Sequence, residues 1–134
     1  MKPTDVRIGD LVKYDGRIFE IHAIDKDYPH LNTEEFGVGV VGWDDIEGVQ
    51  LTEEILLMVG FKKVKDHSRH FPIEFYHYQN DYCWVYLLDD GVFEIEIITI
   101  DERHNLCRAY KYIHELQNLY FALTGEELNT EGVK

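Results

Sequence analysis

Three segments in which polar and apolar residues alternate constrain the fold of this chain more than any other feature. They cover residues 73–78, 82–88 and 92–100, and an alternation with a period of two is typical of a strand with one buried face. Gln79-Asn80-Asp81 and Asp89-Asp90-Gly91 separate the segments and predict three-residue hairpin loops. We therefore predict an antiparallel meander of three strands.

The two loops assign the side chains consistently to two faces of this sheet. A loop at 79–81 places Tyr78 opposite Tyr82, and a loop at 89–91 places Val85 opposite Ile95. A slip of one residue would exchange the faces of a strand. The apolar face, which we predict to be the core, carries Ile73, Phe75, Val85, Leu87, Phe93, Ile95 and Ile97. The other face carries Glu74, Tyr76, Tyr78, Tyr82, Trp84, Tyr86, Glu94 and Glu96.

The first block, residues 6–51, also favours strands. Asp15-Gly16 predicts a two-residue hairpin loop between strands at 11–14 and 17–24, because glycine accepts a positive φ. This hairpin places Val12 opposite Phe19. The block resembles small SH3-like barrels through Ile8-Gly9-Asp10-Leu11-Val12, Asp15-Gly16 and Ile18-Phe19-Glu20-Ile21.

Four further segments complete the strand and loop assignment. Residues 25–35 are polar and are interpreted as a loop, whereas residues 36–43, with glycines at three positions, are interpreted as a strand. Residues 49–51 predict a last short strand of the first block. Residues 106–111 fit either a fourth strand of the meander or an early start of the final helix.

Two helices are predicted from their caps and their spacing. Thr52 is a suitable N-cap and Gly60 a suitable end for a short helix at 52–60. A second helix at 112–123 stops at Thr124-Gly125. Its apolar stripe, which we expect to pack on the apolar face of the meander, contains Ile113, Leu116, Leu119, Tyr120 and Leu123.

These elements predict an α+β protein that forms a single domain over residues 1–134. The sub-blocks are a strand-rich, SH3-like block at 6–51, a short helix at 52–60, and an antiparallel meander with a C-terminal amphipathic helix at 61–128. A chain of 134 residues with 45% apolar and 13% aromatic residues suits one folded domain and does not suit a disordered coil.

The charge of the chain is strongly acidic throughout. Lys and Arg number 13 against 26 for Asp and Glu, which gives a net charge of −13. Because nucleic-acid binding depends on cations that neutralise phosphates, we expect no direct contact with nucleic acid. A well-solvated surface explains the charge; the alternative is a decoy that mimics DNA and inhibits a DNA-binding enzyme.

No apolar stretch in the chain is long enough to span a membrane, and no apolar signal segment follows its first residues. We therefore expect a cytoplasmic protein. Two cysteines are too few for a disulfide scaffold.

The candidate metal ligands are His67 and His70, with His77, Asp66 and Glu74 nearby. Imidazole and carboxylate suit zinc, so a metal-dependent enzyme is an alternative function. The predicted register places His77 on the core face, away from the other two histidines. The seven histidines also follow no zinc-binding pattern, so we predict no metal and no other cofactor.

The other candidate catalytic groups are residue types that also occur for purely structural reasons. Cys83 with His77, and Cys107 with His104, resemble thiol–base pairs, but a free cysteine on a core face is usually a small buried apolar residue. The remaining candidates are carboxylates in predicted turns, where such residues bond the local backbone: Asp44, Asp45, Glu47, Asp89 and Asp90. We therefore expect no enzymatic activity.

The candidate partner-binding surface is the second face of the meander. Tyr and Trp are enriched in binding hot spots, and acidic residues on the margin favour a basic partner through charge and cation–π contacts. Alternatively, the first block or the helix at 52–60 covers this face and makes it a second core layer. The candidate residues are Tyr76, Tyr78, Tyr82, Trp84, Tyr86, Glu94 and Glu96.

Two stretches carry a family resemblance. The segment at 51–56, LTEEIL, with Gly60-Phe61, and the ending at 112–128, YIHELQNLYFALTGEEL, resemble a small family of hypothetical proteins of gut anaerobic bacteria and their prophages and mobile elements. The resemblance implies an accessory, phage-derived protein and assigns no catalytic residue. We predict a non-enzymatic interaction protein with a protein partner; its oligomeric state does not follow from the sequence.

Overall fold

The computed structural model describes residues 1–33, 37–65, 76–88, 91–98 and 103–133. These residues form two compact units, each built around one five-stranded antiparallel sheet. The first unit contains residues 1–50, 112–128 and 133–134, and the second contains residues 51–111 and 129–132. The predicted α+β class, rich in strands and with a C-terminal helix on a sheet, is confirmed.

The first sheet has the strand order β4-β3-β2-β1-β5. Within the described residues β4 and β5 lie at opposite edges and do not pair, so the sheet is not closed into a barrel. Short 3-10 helices at Pro3–Asp5 and Trp43–Asp45 flank its strands. The strands are β1 (Leu11–Tyr14), β2 (Arg17–Ile24), β3 (Pro29–Thr33), β4 (Gly37–Val40) and β5 (Ile46–Gly48).

The predicted hairpin between β1 and β2 is confirmed. Val12 pairs with Phe19, and the loop residues Asp15 and Gly16 have φ angles of 48° and 76°, as a tight two-residue loop requires. The buried core beneath this sheet consists of Val6, Val12, Ile21, Leu31 and Ile46.

The prediction of a loop over residues 25–35 is wrong, because β3 begins at Pro29. The side chain of Asp25 accepts hydrogen bonds from the N–H groups of Asp27 and Tyr28 at 2.8 and 2.7 Å. This Asx-type turn reverses the chain within four residues. Proline is tolerated as the first residue of a strand, so Pro29 does not prevent β3 from pairing with β2.

The C-terminal helix α2 (Ile113–Thr124) belongs to the first unit and packs on β1, so the prediction that it packs on the meander is wrong. The buried side chain of Gln117 makes the attachment specific. Its Oε1 accepts from the N–H of Leu11 at 2.9 Å, and its Nε2 donates to the carbonyl of Gly9 at 3.1 Å. A polar side chain thus satisfies backbone groups at the start of β1.

The second sheet has the order β10-β9-β8-β7-β6. The open alternative for residues 106–111 is resolved in favour of a strand, since residues 106–110 lie within β10. Helix α1 (Glu53–Met58) precedes the sheet, and the Thr52 side chain accepts from the Ile55 N–H at 3.3 Å as its predicted N-cap. The strands are β6 (Lys62–Lys65), β7 (Tyr76–Gln79), β8 (Cys83–Leu87), β9 (Phe93–Ile98) and β10 (Arg103–Tyr110).

The predicted register between β8 and β9 is confirmed, since Val85 pairs with Ile95 and Trp84 with Glu96. The predicted register between β7 and β8 is wrong. Tyr78 pairs with Val85, three residues beyond its expected partner Tyr82. Because three is an odd number, the two faces of β7 are exchanged relative to the prediction.

The cause of this shift is the side chain of Asn80. Its Oδ1 accepts from the N–H groups of Tyr82 and Cys83 at 2.9 and 3.0 Å, and its own N–H donates to the carbonyl of Cys83 at 3.1 Å. Tyr82 is therefore part of the turn and is not the first residue of β8.

We predict that Gln117→Ala lowers the free energy of unfolding by about 1–3 kcal/mol, because the buried N–H of Leu11 then lacks its partner. Urea unfolding followed by circular dichroism measures the change. The matched control Gln50→Ala truncates an exposed glutamine and should change the value by less than about 0.5 kcal/mol. Equal stability of the two variants would contradict the role of Gln117.

Candidate partner-binding face

The candidate site lies on the face of the second sheet opposite to Val85 and Ile95. We call it the tryptophan face, and it is built by three adjacent strands. Each of the three strands contributes two residues. Its members are His77, Gln79, Trp84, Tyr86, Glu94 and Glu96.

The aromatic centre of the tryptophan face is a stack of His77 on Trp84. The ring centroids lie 4.0 Å apart with an interplanar angle of 12°, and Tyr86 flanks His77 at 5.8 Å. His77 is 3% exposed, and its Nε2 lies 2.9 Å from Oε1 of Gln79. The buried imidazole thus packs against one face of the indole and restricts the rotamer of Trp84.

The acidic part of the tryptophan face comes from β9. Glu96 pairs with Trp84 and Glu94 pairs with Tyr86 across the β8–β9 ladder. The hydroxyl of Tyr86 donates to Oε2 of Glu96 at 2.9 Å, which orients this carboxylate. Both aromatic rings and both carboxylates are half-buried, so each keeps part of its surface accessible.

The structure brings together four of the seven residues predicted for this surface and adds His77 and Gln79 to them. Trp84, Tyr86, Glu94 and Glu96 share one face as predicted. Tyr82 lies in the turn before β8 and is 41% exposed.

Tyr76 and Tyr78 were wrongly assigned to the candidate surface, because the shifted register places them on the side of Val85. Tyr78 is buried there and hydrogen-bonds to Glu53 of α1. Burial, followed by this hydrogen bond, raises the pKa of the Tyr78 hydroxyl.

Helix α1 covers the Tyr78 side of the sheet. Lys63 of β6 pairs with Tyr78 in the ladder, and its Nζ lies 2.6 Å from Oε1 of Glu53 and 4.5 Å from the ring centroid of Tyr76. The alternative in which this helix covers the aromatic residues is therefore true of Tyr78, whereas Tyr76 is 39% exposed and Trp84 lies on the other face. The sequence gives no direct signal for this cluster beyond the charges of Glu53 and Lys63.

The candidate metal ligands His67 and His70, with Asp66 and Glu74, lie outside the described residues. His77 lies on the tryptophan face, which corrects its predicted place on the core face beside Cys83. Among the residues that the structure describes, no group of three His, Cys, Asp or Glu side chains could hold a metal ion. The metal-dependent alternative stays a prediction.

The candidate thiol Cys83 and the candidate carboxylate Asp45 lie within the described residues, and each has a structural role. Burial raises the pKa of the Cys83 thiol to about 12, so Cys83 is protonated at neutral pH and is a poor nucleophile. Asp45 accepts from the N–H of Gly42 at 3.2 Å, within a 3-10 turn. The side chains of His104 and Cys107, and residues 89–90, lie outside the described residues.

A buried carboxylate that the sequence analysis did not single out lies in the first unit. Asp10 is 1% exposed, its Oδ2 accepts from the N–H of Arg7 at 2.8 Å, and its Oδ1 has no hydrogen-bond partner among the described residues. Burial raises the pKa of Asp10 from 3.8 to about 6, against the opposing effects of hydrogen bonds and the Arg7 charge. The hydrogen bond from Arg7 could be expected from the sequence, because the two residues are three positions apart. The burial of Asp10 could not, because it depends on the folded structure.

No protein-family model, no curated protein and no solved structure matches this chain. Among the described residues, no helix has both the length and the apolar character needed to cross a membrane.

We predict that Asp10 makes the chain less stable as the pH rises from about 4 to about 6. The folded state binds the Asp10 proton more tightly than the unfolded state does, so the free energy of unfolding falls over this range by at most about 3 kcal/mol and is then constant. Asp10→Asn keeps an acceptor for Arg7 and cannot ionise. The free energy of unfolding of Asp10→Asn should therefore fall less between pH 4 and pH 6 than that of the parent chain.

Urea unfolding at pH 4, 5, 6 and 7 measures this difference between the parent chain and Asp10→Asn. Asp15→Asn is the matched control, because Asp15 is exposed in a turn where asparagine is tolerated. The control should run parallel to the parent. Parallel curves for Asp10→Asn and the parent would show that Asp10 does not retain its proton in the folded state.

Proposed function

We propose that this protein is a non-enzymatic interaction protein that binds a basic segment of a partner protein on its tryptophan face. The observation that carries the proposal is the pairing of two accessible aromatic rings with two carboxylates. Trp84 lies opposite Glu96, and Tyr86 lies opposite Glu94. Such a surface offers both a π-face and a negative charge to one Lys or Arg side chain.

The geometry reduces the entropic cost of binding. Trp84 is stacked on the buried His77 at 4.0 Å, and Glu96 is held by the Tyr86 hydroxyl at 2.9 Å. Side chains that are already ordered lose less rotamer freedom when a partner docks. An arginine that stacks on Trp84 can also donate to a carboxylate at the margin.

The charge of the whole chain supports a basic partner. A net charge of −13 attracts a cationic segment over long distances and accelerates the encounter at low salt. The same charge supports the acidic decoy as a special case of the proposal, in which the partner is a DNA-binding enzyme. The two differ in salt dependence, because a decoy relies on many exposed charges that salt screens.

The remaining proposals concern origin and fold type. The resemblance of residues 51–56 and 112–128 to proteins of prophages supports a phage-derived accessory role. The pairing of β5 with β1, which places β5 at the edge of the sheet, supports an SH3-like arrangement of the first unit. Since one fold serves many functions, the proposed function depends on the tryptophan face and not on this arrangement.

We expect an unstructured peptide of alternating Arg and Gly to change the fluorescence of Trp84 saturably. The chain has two tryptophans, so Trp43→Phe leaves Trp84 as the reporter and Trp84→Phe leaves Trp43. Titration should shift the emission of the first variant and leave that of the second unchanged. The reason is that the peptide cation contacts the indole of Trp84.

The contribution of the carboxylates is measured in the Trp43→Phe background. Glu96→Gln should weaken peptide binding about tenfold, which corresponds to about 1.4 kcal/mol. Glu131→Gln makes the same change of charge at an exposed position of the second unit and should have little effect. If both substitutions weaken binding equally, the peptide responds to overall charge and the tryptophan face is not its site.

A further inference from the structure

We propose that the edge strand β4 is a second docking site, at which an extended basic segment of a partner protein adds to the first sheet as a further strand. This site is separate from the tryptophan face and lies in the other unit. Strand addition uses the backbone N–H and C=O groups that an edge strand leaves facing outward.

Strand β4 is an unprotected edge. Within the described residues it pairs with β3 alone, over four positions from Gly37 to Val40. Its sequence, Gly-Val-Gly-Val, contains no charged residue, and Val40 is 57% exposed. Glycine in a strand allows another backbone to approach closely, because no Cβ stands in the way.

The other edge strands carry the features that prevent such pairing. Strand β6 has lysine at three of its four positions, and charged side chains, above all lysine, protect natural edges. Strand β5 is only three residues long and includes the exposed Glu47. The sequence of β10 includes Arg103 and Arg108. The contrast singles out β4 among the four edges.

The charges at the Val40 end of β4 define the kind of partner. His30 pairs with Val40, and its Nε2 lies 3.1 Å from Oδ2 of Asp25, which brings an acidic group to this end of the strand. Lys26 is the one cation among the exposed charged residues of the two adjoining turns; the acidic residues there are Asp25, Asp27, Asp44 and Asp45.

These carboxylates favour Lys or Arg in the added segment. Two copies of a chain with a net charge of −13 repel one another, which disfavours a second copy as the added strand. The hydrogen bonds of Asp25 to the N–H of Tyr28 and to His30 lower its pKa, so the group is ionised at neutral pH.

The test uses a pool of seven-residue peptides with Lys at alternate positions and Val, Ile or Thr at the others. Binding to the full chain is followed by the amide shifts of residues 37–40 in ¹H–¹⁵N spectra. We expect saturable shifts at these amides, and an affinity at least tenfold lower for a pool with the same side chains and N-methylated backbone. N-methylation removes the donors needed for strand addition and keeps the charge.

Two variants complete the design. Val40→Lys should abolish the shifts, because it places a charge on the edge as natural sheets do, while Val40→Thr keeps a β-branched, uncharged residue and should retain them. Trp84→Phe should leave them unchanged, which separates this site from the proposed function.

Several results would overturn the proposal. They are an absence of shifts at residues 37–40, shifts confined to the tryptophan face, and equal binding of the N-methylated pool. A concentration-dependent dimer in sedimentation that Val40→Lys abolishes would also overturn it, since β4 would then be occupied by a second copy of the chain.

Discussion

The hydrogen bonds of the Asn80 side chain determine which surface the second unit presents. By accepting from the N–H groups of Tyr82 and Cys83, Asn80 makes Tyr82 part of the turn, makes Cys83 the first residue of β8 and fixes the register of β7 against β8. This register determines which residues of β7 share a face with Trp84. His77 comes to lie under Trp84, and Tyr78 is buried on the opposite face with Glu53. The predicted surface of several tyrosines is therefore not formed. The surface that forms is smaller, and in it the indole of Trp84 packs against His77 and lies beside carboxylates.

A polar side chain has a similar role in the first unit. Gln117 bonds both the N–H of Leu11 and the carbonyl of Gly9, so that one helical residue fixes α2 to the start of β1. Asp10 lies next to this contact and is buried with one oxygen that no described residue satisfies. Since burial disfavours a charged carboxylate, Asp10 reduces stability at neutral pH, and the hydrogen bonds around it offset only part of that cost.

The sequence predicts local features of this fold well and long-range features poorly. The hairpin at Asp15-Gly16, the N-cap at Thr52 and the register between β8 and β9 depend on the chemistry of neighbouring residues, and all three are confirmed. Strand β3 was missed because the side chain of Asp25 forms a turn that composition alone does not reveal. An amphipathic stripe indicates that one face of α2 is buried, but it does not indicate which sheet buries it.

The candidate site shows the same division. The sequence correctly predicted that Trp84 and Glu96 lie side by side in the ladder between β8 and β9. The loop before β8, in contrast, is compatible with two different lengths. A three-residue loop and the Asn80-centred turn differ by an odd number of residues, so an error in the loop exchanges both faces of β7. The side chain of Asn80 was the signal that could have decided between them, because asparagine favours turns in which it bonds the backbone two residues ahead.

The most direct test of this account is a nuclear Overhauser measurement on the folded chain with assigned aromatic side chains. We expect contacts between the ring protons of His77 and the indole of Trp84, with the imidazole protons shifted upfield by the stacked ring. Contacts of Tyr76 with Trp84, and none of His77, would show the register of the three-residue loop and would contradict the tryptophan face as described.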